Sequence, residues 1–513
     1  MAVNRTTFKY RHALLARTVP ELAAALEAAA TGPEVTAPEE DKGQRILFVF
    51  TGQGSQWPGV GETLLQFPPY REAVEEADVM FAALSGWSIL ERARALSTEE
   101  LRDTQYAQPV TFLLQVGLVK LLESFGVFPS IVSTTTDTGS AAALCHPNQQ
   151  TNRHTNPQPH QQVVGHSAGE VASAWAAGLL TLEEAVQVVY YRSAEQQKLA
   201  GCGRLLAVGL GQNAALEFLA EHGFESEVEI ACVNAPASAV LAGSETTLER
   251  VKAALPEGTF GAFVPGNIAF HSSHVEPILP EIRRRLAFLD DPARAALQAR
   301  PADAPLFVST VTGEEQACVD ARYWCENVRR AVVFEHAVNC IFAEEGTAPD
   351  LVLEIGPHKT LAGPLLQIVQ GMGRETAALP TLARGKECAA VMAGLLGELF
   401  KQGVRVEMQG FYDGLGYQQV CGERLSLSSV GIVYRCAPVC AGLSTNDDTD
   451  LSHVTLGGPP QAPVHQDAHA RARAHPQARE VVGRLPGGAR GGLLQGRRLR
   501  GGGLRPHVQA DGK

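Results

Sequence analysis

A serine hydroxyl becomes a useful nucleophile when it is exposed, has a base within reach and faces donors for the oxyanion that forms. The hexapeptide Gly165-His166-Ser167-Ala168-Gly169-Glu170 offers the exposure and the donors. It follows the short apolar run Val163-Val164 and opens an alanine-rich stretch with helical spacing, residues 168–179. A strand, a sharp turn and a helix in that order lift the serine out at the elbow and aim the following backbone N–H groups at one point. The G-x-S-x-G string by itself is equally a tight turn that does no chemistry, so residues elsewhere must decide.

The elements around it read as a large α/β unit. Ile46-Leu47-Phe48-Val49-Phe50 is a buried-strand run that ends in the turn Thr51-Gly52-Gln53-Gly54-Ser55-Gln56. Helical stretches follow near residues 70–84 and 109–125, and again at 182–199. Residues 204–270 read as a smaller unit with the order β-α-β-β-α-β, a ferredoxin-like arrangement. Strands at 306–311 and 351–355 and a helix near 389–403 return to the larger pattern. Residues 1–44 are expected to be a linker with helical spacing over 14–30. Residues 133–162 form a polar, aperiodic segment just before the nucleophile strand, and 410–513 a low-complexity tail; both are expected to be disordered. The composition and abrupt edges of 133–162 also fit read-through of a non-coding segment.

Several ordered blocks together resemble the acyltransferase family of fatty-acid and polyketide synthases. They are Phe50-Thr51-Gly52-Gln53-Gly54-Ser55-Gln56, Gln105-Tyr106-Ala107-Gln108-Pro109 with Gln115, the elbow itself, Tyr191-Arg192, Ala269-Phe270-His271-Ser272, Tyr323-Trp324-Cys325-Glu326-Asn327 and Glu354-Ile355-Gly356-Pro357-His358. The resemblance runs over 45–408, interrupted at 133–162, and is nearest to acyltransferase domains of fungal-type, highly reducing polyketide synthases. It implies an α/β-hydrolase-like large subdomain (45–203 and 271–409) with the ferredoxin-like subdomain 204–270 inserted. It also implies that the chain is one domain of a longer synthase.

The same resemblance implies roles. Ser167 would attack the thioester carbonyl of malonyl-CoA, and His271 would take its proton. Asn327, through its main chain or its amide, would orient that histidine. Gln53 and the Ala168 N–H would form the oxyanion hole. Arg192 would pair with the malonyl carboxylate, Phe270 would limit branching of the acyl group, and His166 would shape the site. The acyl group would pass to the phosphopantetheine thiol of an acyl-carrier protein, beside other polyketide synthase domains, with no permanently bound cofactor.

Composition narrows the field. The net charge of −12 argues against a nucleic-acid binder, and the 45% apolar content suffices for a large core. The spacings of Cys318 and Cys325, and of Cys436 and Cys440, match neither a zinc ribbon nor a disulfide framework. His146, His154 and His160 lack metal-ligand spacing. No apolar run is long enough to cross a membrane, and no leader follows Met1. The expectation is a cytoplasmic protein that binds neither membrane nor metal. Two rival readings stay open: a serine hydrolase or thioesterase using the same elbow, and a synthase fragment left inactive by the 133–162 insert.

Overall fold

The computed structural model of the protein describes residues 10–16, 18–31, 44–129, 162–297, 304–414 and 431–437. At its centre is a six-stranded sheet. In spatial order the strands are Ala377–Pro380, Leu351–Ile355, Ile46–Phe50, Gln162–Gly165, Leu306–Val308 and Glu315–Gln316, parallel except for the last. A strand inside such a sheet is covered on both faces, so it is apolar without alternation. Ile46–Phe50 illustrates this. Phe48 and Phe50 join one core with Phe81, Leu118 and Val188, whereas Leu47 and Val49 join another with Phe334, Ile341 and Leu365.

The helix Leu182–Gln197 shows how local sequence positions the site. Thr181 and Glu184 form a reciprocal cap: the threonine hydroxyl accepts the Glu184 N–H at 3.2 Å and the glutamate accepts the Thr181 N–H at 2.8 Å. With the start pinned, Ala185, Val189, Arg192 and Gln196 fall on one inward stripe. Arg192 is thereby carried into the interior on an otherwise ordinary amphipathic helix.

Residues 204–263 form a second, antiparallel sheet in the spatial order Val228–Ala235, Ser238–Gly243, Arg204–Val208, Gly261–Phe263. Helices Gln212–Glu221 and Glu245–Ala254 pack on it around Leu206, Val208, Phe218, Leu241, Leu248 and Val251. This is the ferredoxin-like arrangement. The fold class is therefore α/β, a hydrolase-like large part with a ferredoxin-like insertion. The Val233 N–H donates to the Val332 carbonyl at 2.8 Å and the Val332 N–H to the Ala231 carbonyl at 2.9 Å, tying the small sheet to the large part.

The chain ends differ from the sequence reading. Helical spacing at 14–30 holds only from Val19: Tyr10–Ala16 is a strand paired antiparallel with Gly431–Ala437. Thr18 separates the two elements, its hydroxyl accepting the Glu21 N–H at 3.3 Å, with Pro20 in the first turn. The linker expected over 1–44 thus holds a strand and a helix. The tail expected from 410 begins instead inside the helix Gln409–Gly414, where Phe411 is fully buried and stacks on Phe67 with ring centroids 5.3 Å apart. It also contributes the strand Gly431–Ala437, in which Ile432, Val433 and Tyr434 favour extended backbone. The segment 133–162 lies outside the described residues except for Gln162, which begins the strand before Ser167, and the tail beyond 437 lies outside them too. Among the described residues no helix is long and apolar enough to cross a membrane.

Candidate active site

Ser167 follows the strand Gln162–Gly165 and precedes the helix Gly169–Ala176. Its φ of 52° lies in the left-handed region that non-glycine residues rarely occupy. Flanking glycines make so sharp a turn possible. A Cβ on Gly165 would stand 2.4 Å from the Glu170 backbone, and one on Gly169 2.4 Å from the Phe50 carbonyl oxygen. Because both obstacles are backbone, Gly169→Ala is expected to cost about 1–3 kcal/mol of stability. Thermal unfolding followed by circular dichroism checks this; an unchanged midpoint would mean that the elbow relaxes freely.

His271 Nε2 lies 2.8 Å from Ser167 Oγ, and His271 also has a positive φ, 58°. The two strained residues face each other across the site. His271 Nδ1 lies 3.0 Å from the Arg330 carbonyl oxygen. A carbonyl only accepts, so Nδ1 carries the proton and Nε2 offers its lone pair to the serine hydroxyl. Orientation of this histidine, expected of Asn327, thus rests chiefly on the Arg330 main chain, with the Asn327 carbonyl as a lesser acceptor. No carboxylate bonds to His271 among the described residues. Burial, helped by the charge of Arg192, pushes His271 down to about 3. The imidazole is therefore neutral and able to act as a base throughout the ordinary pH range.

Two pH effects of opposite kind follow. Acylation of Ser167 should stay level from about pH 8 to about pH 5, with no acid limb near the ordinary histidine value. Stability should fall over part of the same range: the unfolded histidine takes up a proton near 6.5, the folded one only near 3. Between those values the unfolded state binds more protons, so the native state loses stability as pH falls. A pH profile of kcat/KM run beside thermal midpoints tests both, and an acid limb centred near 6.5 would contradict the assignment.

Arg192 is only 2% exposed. Its Nε donates to Asn327 Oδ1 at 3.1 Å, one terminal nitrogen to Gln196 Oε1 at 3.3 Å, and the other to Ser167 Oγ at 3.3 Å. The Asn327 amide is therefore turned to Arg192 rather than to His271. Its Nδ2 donates to Glu170 at 2.7 Å and to the Ser167 carbonyl at 3.3 Å. Glu170, wholly buried, also accepts from the Tyr323 hydroxyl at 2.7 Å and the Thr310 hydroxyl at 2.8 Å, together with the Thr310 N–H. Burial raises the pKa of this carboxyl, and its donors pull it back down. Burial lowers Arg192 to about 10 while the charge of Glu170 opposes the shift, which leaves the guanidinium charged at neutral pH. A cation thus stands beside Ser167, one amide away from the buried Glu170 carboxyl.

Gln53 lies on the turn that packs against the elbow: a Cβ on neighbouring Gly52 would be 3.7 Å from Ser167 Cβ, and the His166 N–H bonds the Phe50 carbonyl at 2.9 Å. Gln115 Nε2 holds that turn through the carbonyls of Thr51 at 2.8 Å and Ile355 at 3.1 Å. Gln53 Oε1 accepts from Gln108 Nε2 at 2.8 Å, which points its NH2 away from Gln108. Within the elbow the turn bonds run from the Gly169 N–H to His166 and from the Glu170 N–H to Ser167, so neither occupies the Ala168 N–H. His166 Nε2 bonds Asn234 Oδ1 at 2.8 Å and braces the elbow against the small sheet. Phe270, 8% exposed, adjoins His271 and packs into the large core.

The structure thus gathers Ser167, His271, Arg192 and Asn327, with Ala168, Gln53, His166 and Phe270 around them. It adds Glu170 and Gln108, both visible in motifs but without a role read from them, and the Arg330 carbonyl, which no side chain announces. Glu354 proves structural: its carboxylate accepts the N–H groups of Leu361 and Ala362, each at 2.9 Å, at a helix start. Among the described residues no group of three His, Cys, Asp or Glu is placed to hold a metal. His146, His154 and His160 lie outside them.

The chain is similar to known proteins. The family model described as acyl transferase domain matches residues 47–134 and 155–406, and its gap falls inside the polar segment 133–162. The highly reducing polyketide synthase ACRTS2 of Alternaria alternata is 29% identical over 79% of this chain, which spans 16% of that protein. The reducing polyketide synthase DEP5 of Fusarium langsethiae is 31% identical over 70% of this chain, which spans 14% of it. Among solved structures, the acyltransferase domain from the second module of the salinomycin polyketide synthase is 28% identical with a TM-score of 0.64, covering 81% of this chain and 88% of that one. The malonyl CoA-acyl carrier protein transacylase of Clostridium perfringens, 19% identical with a TM-score of 0.52 over 70% of this chain and 98% of that one, shares the fold. With the matched residues enclosing every group at the elbow, the chain belongs to the acyl transferase domain family.

Proposed function

We propose that the protein moves a malonyl group from malonyl-CoA to Ser167, and from Ser167 to the phosphopantetheine thiol of an acyl-carrier protein within polyketide assembly. The observation that carries this reading is Arg192, a buried cation 3.3 Å from the nucleophile oxygen. Of the five N–H groups of a guanidinium, three have acceptors here, and the other two, one on each terminal nitrogen, suit a carboxylate. An acyl group bonded to Ser167 with a free carboxylate at its far end fits that demand.

In the first half-reaction Ser167 Oγ attacks the thioester carbonyl as its proton passes to His271 Nε2. The tetrahedral oxyanion forms near the Ala168 N–H and Gln53. Collapse breaks the C–S bond, and the imidazolium returns the proton to the departing thiol. In the second half the carrier thiol gives its proton to His271, attacks the serine ester and expels Ser167 Oγ, which is reprotonated. Phe270 beside the base leaves less room for a branched acyl group, a preference of about 1–3 kcal/mol per methyl.

Among the described residues no carboxylate completes a triad at His271, and Arg192 has no task in plain ester hydrolysis; both features favour transfer over the hydrolase reading. Mixing the protein with malonyl-CoA and a phosphopantetheinylated carrier protein tests this. Malonyl should appear on the carrier thiol faster than as free malonate. Release as malonate at the same rate with or without carrier protein would instead support a hydrolase.

A further inference from the structure

Gln108 is 2% exposed and Gln196 wholly buried, and the transfer chemistry as derived uses neither. With Asn327 they complete an unbroken series of hydrogen bonds. Glu170 accepts from Asn327, Asn327 Oδ1 and Gln196 Oε1 both accept from Arg192, and Gln108 Nε2 donates to Gln196 at 2.7 Å and to Gln53 at 2.8 Å. An amide can be turned end for end at little intrinsic cost, so its sense is set by neighbours that can only give or only take. Arg192 only gives; Glu170, ringed by donors, takes. Together they fix Asn327 and Gln196, which fixes Gln108, which in turn presents its NH2 to Gln53.

The arrangement has a local cost. Gln108 Oε1 and Gln196 Nε2 are buried with no partner among the described residues. Turning both amides round would pair those atoms with each other, but it would set a Gln196 NH2 against the Arg192 guanidinium. It would also offer Gln53 an oxygen and so draw its NH2 inward. The charge of Arg192 selects the other sense, in which the Gln53 oxygen is held and its NH2 is free.

We infer that Gln108 is a positioning residue that transmits the polarity of Arg192 to Gln53, so that Gln53 presents an N–H donor toward the acyl oxygen at Ser167. The inference rests on Ser167 being the nucleophile, as in the transfer reading, but not on the identity of the acyl group. The charge that recognises the acyl carboxylate then also aligns a donor for the oxyanion.

The probe is p-nitrophenyl acetate, which acylates a reactive serine without malonyl, coenzyme A or carrier protein, and whose nitrophenolate burst gives the acylation rate. A wild-type burst without malonyl loading would sink the transfer reading while leaving this test intact. Gln108→Met should slow the burst by about 10-fold to 100-fold at unchanged KM. Gln53→Ala should slow it similarly, and the double variant no further than Gln53→Ala alone. Gln108→Glu keeps the size but replaces the donor by an acceptor, and should slow the burst at least as much as Gln108→Met; it also stands in if Gln108→Met fails to fold. Factors that multiply in the double variant would overturn the inference, as would a Gln108→Met burst at the wild-type rate. A structural role alone would move the thermal midpoint and leave the rate constant per folded molecule unchanged.

Discussion

Ser167→Ala is expected to lower acyl loading from malonyl-CoA by about 10⁴–10⁶-fold. The size follows from how the site is built. Ser167 and His271 share one hydrogen bond of 2.8 Å, and each is held at a positive φ that the surrounding backbone enforces. Neither works alone, so His271→Ala should cost nearly as much and the double variant little more. Alanine tolerates the elbow backbone about as well as serine does, so the fold should survive. Single-turnover loading with labelled malonyl-CoA measures the effect. A loss of less than about 10²-fold would mean that another group carries the acyl chain.

Arg192→Ala should lower malonyl loading by about 10²–10⁴-fold, and loading from acetyl-CoA much less. Removing the guanidinium deprives a substrate carboxylate of its partner in a buried place, a penalty of about 3–5 kcal/mol. It also leaves Asn327 Oδ1 without its donor, Gln196 Oε1 with Gln108 alone and the buried Glu170 carboxyl without a nearby cation, so stability will fall as well. The ratio of malonyl to acetyl loading is the sound readout, because a smaller folded fraction lowers both rates alike. Arg192→Lys keeps the charge but not the fork, and should fall between the two. A preference for malonyl unchanged in Arg192→Ala would remove the main support for a dicarboxylic acyl substrate.

The elbow that carries Ser167 is legible because strand, turn and helix are local and each leaves its own pattern: Val163-Val164, the glycines of the elbow, then alanine-rich helical spacing. The small sheet was legible for the same reason, since its elements alternate within 204–263 and bury their own core. Arg192 is different. An arginine on an amphipathic helix is ordinarily solvated, and only the resemblance pointed it inward; its burial depends on where the Thr181 cap starts the helix and on what packs across it. For Asn327 the sequence leaves main chain and amide open, because a side-chain amide can serve either of two neighbours; here the amide serves Glu170 and Arg192 and only the main-chain carbonyl faces His271. The Arg330 carbonyl leaves no trace in residue identity at all. At the N-terminus Thr18-Val19-Pro20-Glu21 is a helix-start pattern, but helical spacing runs on across it from Leu14 and masks the strand before it. Phe411 gives no such signal, because Phe411-Tyr412 stands between glycines in a stretch too short to show a helical period.

The most direct test of the whole reading is the mass of the intact protein after brief mixing with malonyl-CoA, followed by peptide mapping. The account predicts a gain equal to one malonyl group, located on Ser167, absent from Ser167→Ala and discharged on adding a phosphopantetheinylated carrier protein. A protein that stays unmodified, or one that carries the group on a residue other than Ser167, would contradict it.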